Sequence, residues 1–275
     1  MSEIINLIPN NPDVHVYSKA VELLSEMLKE DYSFIINVWD HEMPKDTKHP
    51  KILVSTSDEA HKMPSQAYDG SYVHVFKQYQ PMINADDPLS VITSDKVTAI
   101  PLCELEGIED KQVPILEREY DWSWMGQFDP YRRAEFRDAM TQLEKNEKLK
   151  NKVLWYEGWN NGQSTESYCD VLNQTKIMPV PRGSGSLESF RFFEAAKCGC
   201  IPVCTQQPHV DFYNVAPYFS ISSWSHFGEF VENMKQRESE MEYLSKQVKS
   251  WHKYFCSPQG LANFMYKILT KVKNV

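Results

Sequence analysis

The sequence predicts an α/β protein in which helices and strands alternate in two successive series. Short β-branched or aromatic runs, bounded by turn-forming residues, are typical of buried strands. Between them lie segments whose apolar residues recur at helical spacing. The two series are separated by a charged segment, Ile108–Tyr120. With 275 residues, of which 41% are hydrophobic, the chain can form one large core or two smaller ones.

The first series occupies the N-terminal part of the chain. A helix is predicted at Asp13–Lys29, because Val16, Ala20 and Leu24 recur at helical spacing. The predicted strands are Ser33–Trp39, Lys51–Ser55, Tyr72–Phe76 and Lys96–Leu102. Pro114 lies in the charged segment that follows, so we expect a linker there.

The second series begins at about Asp121 and repeats the alternation. Its predicted strands are Trp122–Met125, Lys152–Tyr156, Thr175–Val180 and Ile201–Thr205. Its predicted helices are Tyr131–Leu149, Ser164–Leu172 and Leu187–Lys197, and the tail from Trp224 onward is helical in pattern. This arrangement predicts a second α/β layer with helices added at the C terminus.

Charge and composition exclude several classes of function. The formal net charge of −9 argues against a nucleic-acid partner, because no basic stripe is present to hold a phosphate backbone. We predict no membrane span and no signal peptide, since the chain lacks both a run of about 18 apolar residues and a basic flank before an apolar segment. The expected location is therefore cytoplasmic. The six cysteines lack the spacing of a disulfide framework and are predicted to be reduced core thiols.

The segment Met178–Val203 carries the clearest chemical signal. It is predicted to run strand, small-residue loop, helix and second strand. Glycines at 183 and 185 allow backbone N–H groups to approach a ligand closely, and serines at 184 and 186 add hydroxyl donors. The following helix start offers unpaired amides, and Arg182 could bind two phosphate oxygens at once. The segment therefore predicts a seat for a diphosphate, formed by Arg182, Gly183, Ser184, Gly185 and Ser186.

Two charged residues lie on the otherwise apolar helix that follows. Arg191 and Glu194 are three residues apart, so they share a helical face. Such charges are costly in a buried helix unless they pair or contact a ligand. Glu194 is well placed to accept hydrogen bonds from both ribose hydroxyls of a nucleotide. The alternative is that Glu188, Arg191 and Glu194 form ordinary surface pairs.

The 23 residues PRGSGSLESFRFFEAAKCGCIPV resemble the nucleotide-sugar segment of the exostosin family of glycosyltransferases, which includes a Ser-x-Arg element matched by Ser189 and Arg191. The likeness extends more loosely through Tyr168, Leu172 and Lys176, and through VLWYEGW. A further block, WMGQFDPYRR, matches with Gly126 and with Arg132 or Arg133. In the first half, SDEAH and YVHVFKQY are similar to compact exostosin-like proteins of large algal viruses and some bacteria.

The resemblance implies the compact form of a GT-B fold, in which two Rossmann-like domains face each other across a cleft. It implies an N-terminal acceptor domain at 1–115, a nucleotide-sugar domain at 116–225 and C-terminal helices at 226–275 that pack across both domains. It also implies inverting transfer from a UDP-sugar. The similarity to the algal-virus proteins favours UDP-xylose as donor and an oligosaccharide on a viral glycoprotein as acceptor, in the host-cell cytoplasm.

No metal and no other cofactor is expected for this transfer. The sequence has no Asp-x-Asp after a predicted strand; Asp86 and Asp87 precede Pro88 in a loop, and Glu117 and Glu119 lie in the charged linker. The loop amides, Arg182 and Arg132 would instead meet the charge of the leaving group.

An inverting transferase needs a base that deprotonates the acceptor hydroxyl. The candidates are Asp58, Glu59 and His61, which follow the strand Lys51–Ser55, and Asp69, which precedes the strand at Tyr72. Asp69 and Glu59 are preferred because a carboxylate is in its base form at neutral pH. For any one of the four, a solvated loop charge is the alternative.

Two competing functions follow from the same residues. A catalytically silent sugar- or nucleotide-binding protein would keep the fold without the chemistry. The second competitor is another kind of Rossmann enzyme. Dinucleotide-binding and P-loop enzymes are both excluded, because no G-x-G-x-x-G follows a strand and no G-x-x-x-x-G-K-[ST] is present.

Overall fold

The computed structural model describes residues 1–11, 14–38, 43–56, 61–127, 133–158, 162–183 and 185–272. The chain divides into two compact units. The N-terminal unit comprises Met1–Glu106, Pro208–Asn214 and Lys253–Val275, and the C-terminal unit comprises Gly107–Gln207 and Val215–His252. The division after Glu106 compares with the predicted boundary after residue 115, and the C-terminal helices predicted as one segment are shared between the two units.

The N-terminal unit is built on a parallel sheet of five strands whose order in the sheet equals their order in the chain. The strands are β1 (Glu3–Asn6), β2 (Ser33–Val38), β3 (Lys51–Thr56), β4 (Tyr72–Lys77) and β5 (Val97–Ala99). Helix α1 (His15–Met27) connects β1 to β2, and α8 (Pro258–Val272) packs against α1. This unit is therefore α/β, as the sequence predicts.

Loops cover one face of this sheet. Ile35, Leu53 and Val75 are aligned across β2, β3 and β4 and form a core cluster that includes Val97. Met63 packs against this cluster from the segment between β3 and β4, where the described chain has a single 3₁₀ turn, Ser65–Ala67.

The C-terminal unit contains a second parallel sheet, in the order β10–β9–β8–β6–β7. Its strands are β6 (Tyr120–Gln127), β7 (Asn151–Tyr156), β8 (Thr175–Pro179), β9 (Ile201–Cys204) and β10 (Phe219–Ser220). Its helices are α2 (Ala134–Leu143), α3 (Thr165–Asn173), α4 (Phe190–Cys198), α6 (Phe227–Lys235) and most of α7 (Glu238–Phe255). A four-residue helix, α5 (Asp211–Asn214), belongs to the N-terminal unit.

The strand order of the C-terminal sheet reverses between β6 and β8. From β6 the chain adds β7 on one side and then returns through α3 to place β8 on the other side. In open parallel sheets, ligands bind beyond the carboxyl ends of the strands at such a reversal. The segment that follows β8 is the Gly/Ser loop singled out by the sequence, so the fold brings that loop to the expected position.

An aromatic core fills the face of this sheet that α2 and α6 cover. Trp122 and Trp124 on β6 are fully buried, and Phe136 on α2 lies edge-on to Trp124 with ring centroids 4.7 Å apart. Phe227 on α6 contacts Trp122 in the same geometry. Rings of this size contribute large buried apolar area and favour edge-to-face contacts, so they hold β6 firmly.

At the amino ends of the strands, buried charged side chains have partners within the fold. At the amino end of β6, the buried carboxylate of Asp121 accepts from Lys176 Nζ at 3.2 Å and from Lys235 Nζ at 2.7 Å. Arg118, just before β6, donates to the carbonyls of Thr175 at 2.7 Å and Cys198 at 2.6 Å. Ion pairs and hydrogen bonds of these two side chains therefore connect β6 to the neighbouring elements at this end of the sheet.

All six cysteines are free and buried, which confirms the prediction of reduced core thiols. Burial raises the pKa of the Cys204 thiol to about 12, so the thiolate is disfavoured. Within the described ranges, no helix has the length and apolar character that a membrane span requires.

Several predicted elements are shorter in the structure, and three were not predicted. The strand expected at Lys96–Leu102 is confined to Val97–Ala99, and the helix expected at Tyr131–Leu149 runs from Ala134 to Leu143 in the described chain. The sequence did not predict β1, β10 or α5, which are short. The helix expected from Leu187 begins at Phe190, because Ser189 has extended backbone.

Candidate nucleotide-binding site

The site begins with the loop between β8 and α4. Ser189, the N-cap residue of α4, is extended (φ −143°, ψ 137°), and its side chain makes no capping hydrogen bond. The amides of a first helical turn lack partners within the helix and carry a partial positive charge. The helix start is thus open to an anion at the carboxyl end of β8.

The predicted glycine and serine residues give this loop its shape. A Cβ at Gly183 would lie 2.5 Å from the Glu188 carbonyl oxygen, so only glycine allows the chain to fold back so closely. Ser186 is buried, and its Oγ accepts a hydrogen bond from the Glu188 amide at 2.9 Å. Ser186 therefore braces the loop, a role the sequence did not indicate. Gly185 is half-buried, and Ser184 lies outside the described residues.

Arg191 lies in the first turn of α4 and reaches across to β6. Its Nη2 and Nε donate to the Met125 carbonyl at 2.8 and 3.3 Å, and its guanidinium stacks 4.6 Å from the ring of Trp124. Gly126 makes room for it, because a Cβ there would lie 2.5 Å from Arg191 Nη2. In the part of the chain that the structure describes, no carboxylate pairs with this half-buried charge.

Glu194 is buried, with 3% of its surface exposed, and Glu188 is buried at 1%. The alternative of ordinary surface pairs is therefore wrong for both carboxylates. Tyr168 on α3 donates its hydroxyl to Glu194 Oε2 at 2.6 Å. Burial, followed by the charge of Glu194, raises the pKa of Tyr168 well above its usual value, so this hydroxyl remains a donor.

The other arginines singled out by the sequence are Arg182 and the pair Arg132 and Arg133. Arg182 is half-buried at the loop entrance, and its carbonyl accepts from Arg133 Nε at 2.8 Å. Arg133 is 7% exposed. Arg132, the other match to the family element, lies outside the described residues. Arg133 therefore contacts the entrance of the loop through the Arg182 backbone, and Arg191 lies at the other end of the loop, in the first turn of α4.

The opposite end of α4 is closed. Gly199 terminates the helix in the left-handed conformation (φ 72°), and Ser245 donates to its carbonyl at 2.8 Å. Arg118 adds a cation at the Cys198 carbonyl, where it complements the negative end of the helix dipole. At the amino end of α4, the N-cap residue Ser189 makes no side-chain capping hydrogen bond, and that end adjoins Arg191.

Of the four candidate bases, Asp58 and Glu59 lie outside the described residues. His61 lies beyond the carboxyl end of β3, is 1% exposed and has a left-handed backbone (φ 54°). Its Nδ1 is 2.7 Å from the Gln80 carbonyl oxygen, an acceptor, so Nδ1 carries the proton. In the neutral ring, Nε2 then has the lone pair that a base requires.

Asp69 lies at the other edge of the same sheet. It precedes β4, accepts from the Ser71 amide at 2.8 Å, and is close to Lys51 and Lys96, which are at the amino ends of β3 and β5. Its hydrogen bonds to Ser71, followed by these lysines, lower its pKa. Functional groups of parallel sheets gather at the carboxyl ends, so this position does not favour Asp69, and its role as base stays a prediction.

Sequence reasoning missed the partners that hold these residues. Tyr168 was noted only as a loose family match, and neither Trp124 nor the Met125 carbonyl was predicted to contact Arg191. Within the described ranges, no group of three or more His, Cys, Asp or Glu side chains is arranged to hold a metal ion.

Comparisons with known proteins give a fold and no family. No protein-family model and no curated protein matches the chain. Among solved structures, it is similar to AviGT4, a glycosyltransferase involved in avilamycin A biosynthesis, with a TM-score of 0.51 and 11% identity over 100% of this chain and 99% of that one. An α-glucosyltransferase in complex with UDP-glucose and DNA containing an abasic site matches with a TM-score of 0.50 and 9% identity over 93% and 84% of the two chains.

TarM matches with a TM-score of 0.53 and 8% identity over 91% of this chain, which corresponds to 57% of the TarM chain. None of these comparisons confirms the exostosin resemblance, which stays a prediction. At these identities the likeness concerns the fold alone. The chain therefore has the α/β fold, with two parallel five-stranded sheets, that is also found in glycosyltransferases of the GT-B type.

Proposed function

We propose that the chain is an inverting glycosyltransferase that takes its sugar from a UDP-sugar without a divalent metal ion. The observation that carries this proposal is the half-buried Arg191, which has no carboxylate partner among the described residues and lies in the first turn of α4, beside an N-cap residue, Ser189, whose side chain does not cap the helix. Together with the strand reversal between β6 and β8, this arrangement suits a diphosphate.

Three of the predicted side chains then have a role in donor binding. The amides at the start of α4 and the guanidinium groups of Arg191 and Arg182 would hold the diphosphate and stabilise the charge that develops on UDP as it leaves. Glu194 would accept from the ribose hydroxyls. The fold supports the class of donor, because the α-glucosyltransferase named above has the same fold and was solved with UDP-glucose.

For the chemical step, we propose that the N-terminal unit supplies the base and binds the acceptor. We favour His61, which lies beyond the carboxyl end of β3, and the other candidates are Glu59, Asp58 and Asp69. His61 Nε2 would take the proton of an acceptor hydroxyl while that oxygen attacks the anomeric carbon. The bond from that carbon to the diphosphate oxygen breaks, and UDP leaves with the electron pair.

The finer identities rest on the resemblance to exostosin-like proteins. We propose xylose as the transferred sugar, a glycan on a viral glycoprotein as the acceptor, and the host-cell cytoplasm as the place of reaction. No nucleic acid is involved in this proposal. A silent binding protein is the competing outcome of the experiment that follows.

The test is a panel of UDP-sugars incubated with the protein in EDTA, with released UDP and the anomeric configuration of the product measured. We expect at least one donor, UDP-xylose first, to be consumed with inversion. Binding of UDP without any turnover would indicate the silent protein, and loss of activity on chelation would contradict the metal-free mechanism. If His61 is the base, His61→Gln lowers the rate roughly 100-fold or more, whereas Asp69→Asn has little effect.

A further inference from the structure

The contact between α3 and α4 adds a residue to the donor site. Tyr168 contributes the hydroxyl, and Glu194 contributes the carboxylate that accepts it at 2.6 Å. Both groups belong to the C-terminal unit, and they are 26 residues apart in the chain. Neither residue was paired with the other by the sequence pattern.

Tyr168 is held in place by its own helix. Its amide donates to the Ser164 carbonyl at 3.0 Å, and Ser164 caps α3 by accepting from the Ser167 amide at 3.2 Å. Burial keeps the tyrosine hydroxyl protonated, as its raised pKa shows. The hydroxyl is therefore a fixed donor to Glu194 and fixes the orientation of that carboxylate.

Tyr168 donates to Oε2 of Glu194, and a carboxylate has about four lone-pair positions on its two oxygens. A carboxylate that is held still can accept hydrogen bonds from two neighbouring hydroxyl groups. Binding is strongest when the polar groups of the site are already oriented, because a mobile carboxylate would lose entropy on binding. The hydrogen bond from Tyr168 supplies this orientation.

We propose that Tyr168 is a positioning residue that makes the donor site select a ribonucleotide over its 2′-deoxy counterpart, by holding Glu194 toward the ribose hydroxyls. This inference rests on the proposed function and extends it from UDP binding to selection of the sugar of the nucleotide. It assigns Tyr168 no contact with the reacting atoms.

The experiment measures the affinity of wild type and Tyr168→Phe for UDP and for 2′-deoxy-UDP by calorimetry. We expect wild type to prefer UDP by roughly 10-fold or more, as expected for a hydrogen bond to a charged group. In Tyr168→Phe the affinity for UDP falls by about 10-fold while that for 2′-deoxy-UDP changes little, so the preference largely disappears. Tyr243→Phe, in which an exposed tyrosine loses its hydroxyl, is the matched control.

The possible results separate the two levels of the proposal. Equal weakening of both nucleotides in Tyr168→Phe would show a general structural role and overturn the inference. An unchanged preference in a folded variant would overturn it as well. If wild type binds UDP and 2′-deoxy-UDP equally, the ribose is not read by Glu194 and the inference fails while UDP binding stands. If wild type binds neither, the proposed function itself fails.

Discussion

The charged residues at the two ends of the strands of the C-terminal sheet have different kinds of partner; we call these ends the amino edge and the carboxyl edge. At the amino edge, Asp121 is neutralised by Lys176 and Lys235, and Arg118 is surrounded by carbonyl oxygens. At the carboxyl edge, Arg191 contacts one carbonyl and one aromatic ring, and the N-cap residue Ser189 does not cap α4 with its side chain. Both edges belong to the same sheet, and they differ in the groups that contact their charged side chains.

The difference indicates which charged residues of this unit stabilise the fold and which can bind a ligand. A buried charge whose partner is removed destabilises the fold, because the remaining charge is left without compensation. A charge without a carboxylate partner, such as Arg191, is already tolerated by the fold and can pair with an anionic ligand. Substitutions at the amino edge should therefore affect stability, and substitutions at the carboxyl edge should affect ligand affinity.

The largest expected effect is on stability, from Asp121→Ala. This change leaves Lys176 and Lys235 without their carboxylate and the Lys150 amide without its acceptor, so we expect a loss of about 2–4 kcal/mol in the free energy of unfolding. Urea denaturation measures it. Asp138→Ala, at an exposed position on α2, is the control, and an equal effect of the two substitutions would contradict the contrast.

Gly199→Ala should cost stability at the closed end of α4. The residue has φ 72°, and an added Cβ would lie 2.3 Å from Lys249 Cε, so we expect a loss of about 1–3 kcal/mol. Thermal unfolding checks the loss. UDP affinity of the folded variant should be unchanged, and a large drop in affinity would show that the two ends of the helix are not independent.

Gly126→Ala tests the open end. Its Cβ would displace the guanidinium of Arg191, which lies 2.5 Å away, and would also press on the buried ring of Trp124. We expect UDP affinity to fall by roughly 10-fold, with a stability loss of about 1 kcal/mol or more from the disturbed ring. Unaltered affinity in calorimetry would mean that Arg191 does not bind the nucleotide from this position.

The smallest effect is the acid dependence of the amino edge. Burial alone would raise the pKa of Asp121, but hydrogen bonds from Lys235, the Lys150 amide and Lys176 lower it overall. A lowered folded-state pKa stabilises the fold above the unfolded value of about 3.9 and loses that contribution as the pH falls through the folded value. The difference in unfolding free energy between wild type and Asp121→Asn should therefore be constant near neutral pH and shrink below about pH 4. A difference that grows toward acid would contradict the sign.

Much of the fold follows from local patterns in the sequence. The βαβ unit from Met178 to Val203 was predicted because strand, loop, helix and Gly stop occur in one short stretch, each with its own local signal. The strand β1 was missed because four residues with an exposed Ile4 give no clear alternation, and β10 has only two residues. Such elements form because a neighbouring strand supplies their hydrogen bonds.

The candidate site was predicted only as far as its residues give a local signal in the sequence. Glu194 and Arg191 were identified because charges on an apolar helix need a partner. Their actual contacts, Tyr168 and the Met125 carbonyl, are on other elements and depend on how α3 and β6 pack against α4. The preference for Asp69 considered the charge state of a carboxylate at neutral pH, whereas the end of the strands at which the residue lies depends on the fold and does not follow from that property.

The most direct test of the central claim is a calorimetric titration of UDP, in EDTA, into wild type, Arg191→Ala and Arg237→Ala. Arg237 is an exposed arginine paired with Glu240, so it controls for the loss of one positive charge. We expect one UDP per chain to bind wild type and Arg237→Ala alike. Arg191→Ala should bind about 10- to 100-fold more weakly with its stability nearly unchanged. Absence of UDP binding in wild type, or equal affinity in Arg191→Ala, would contradict the assignment of the carboxyl edge as a nucleotide site.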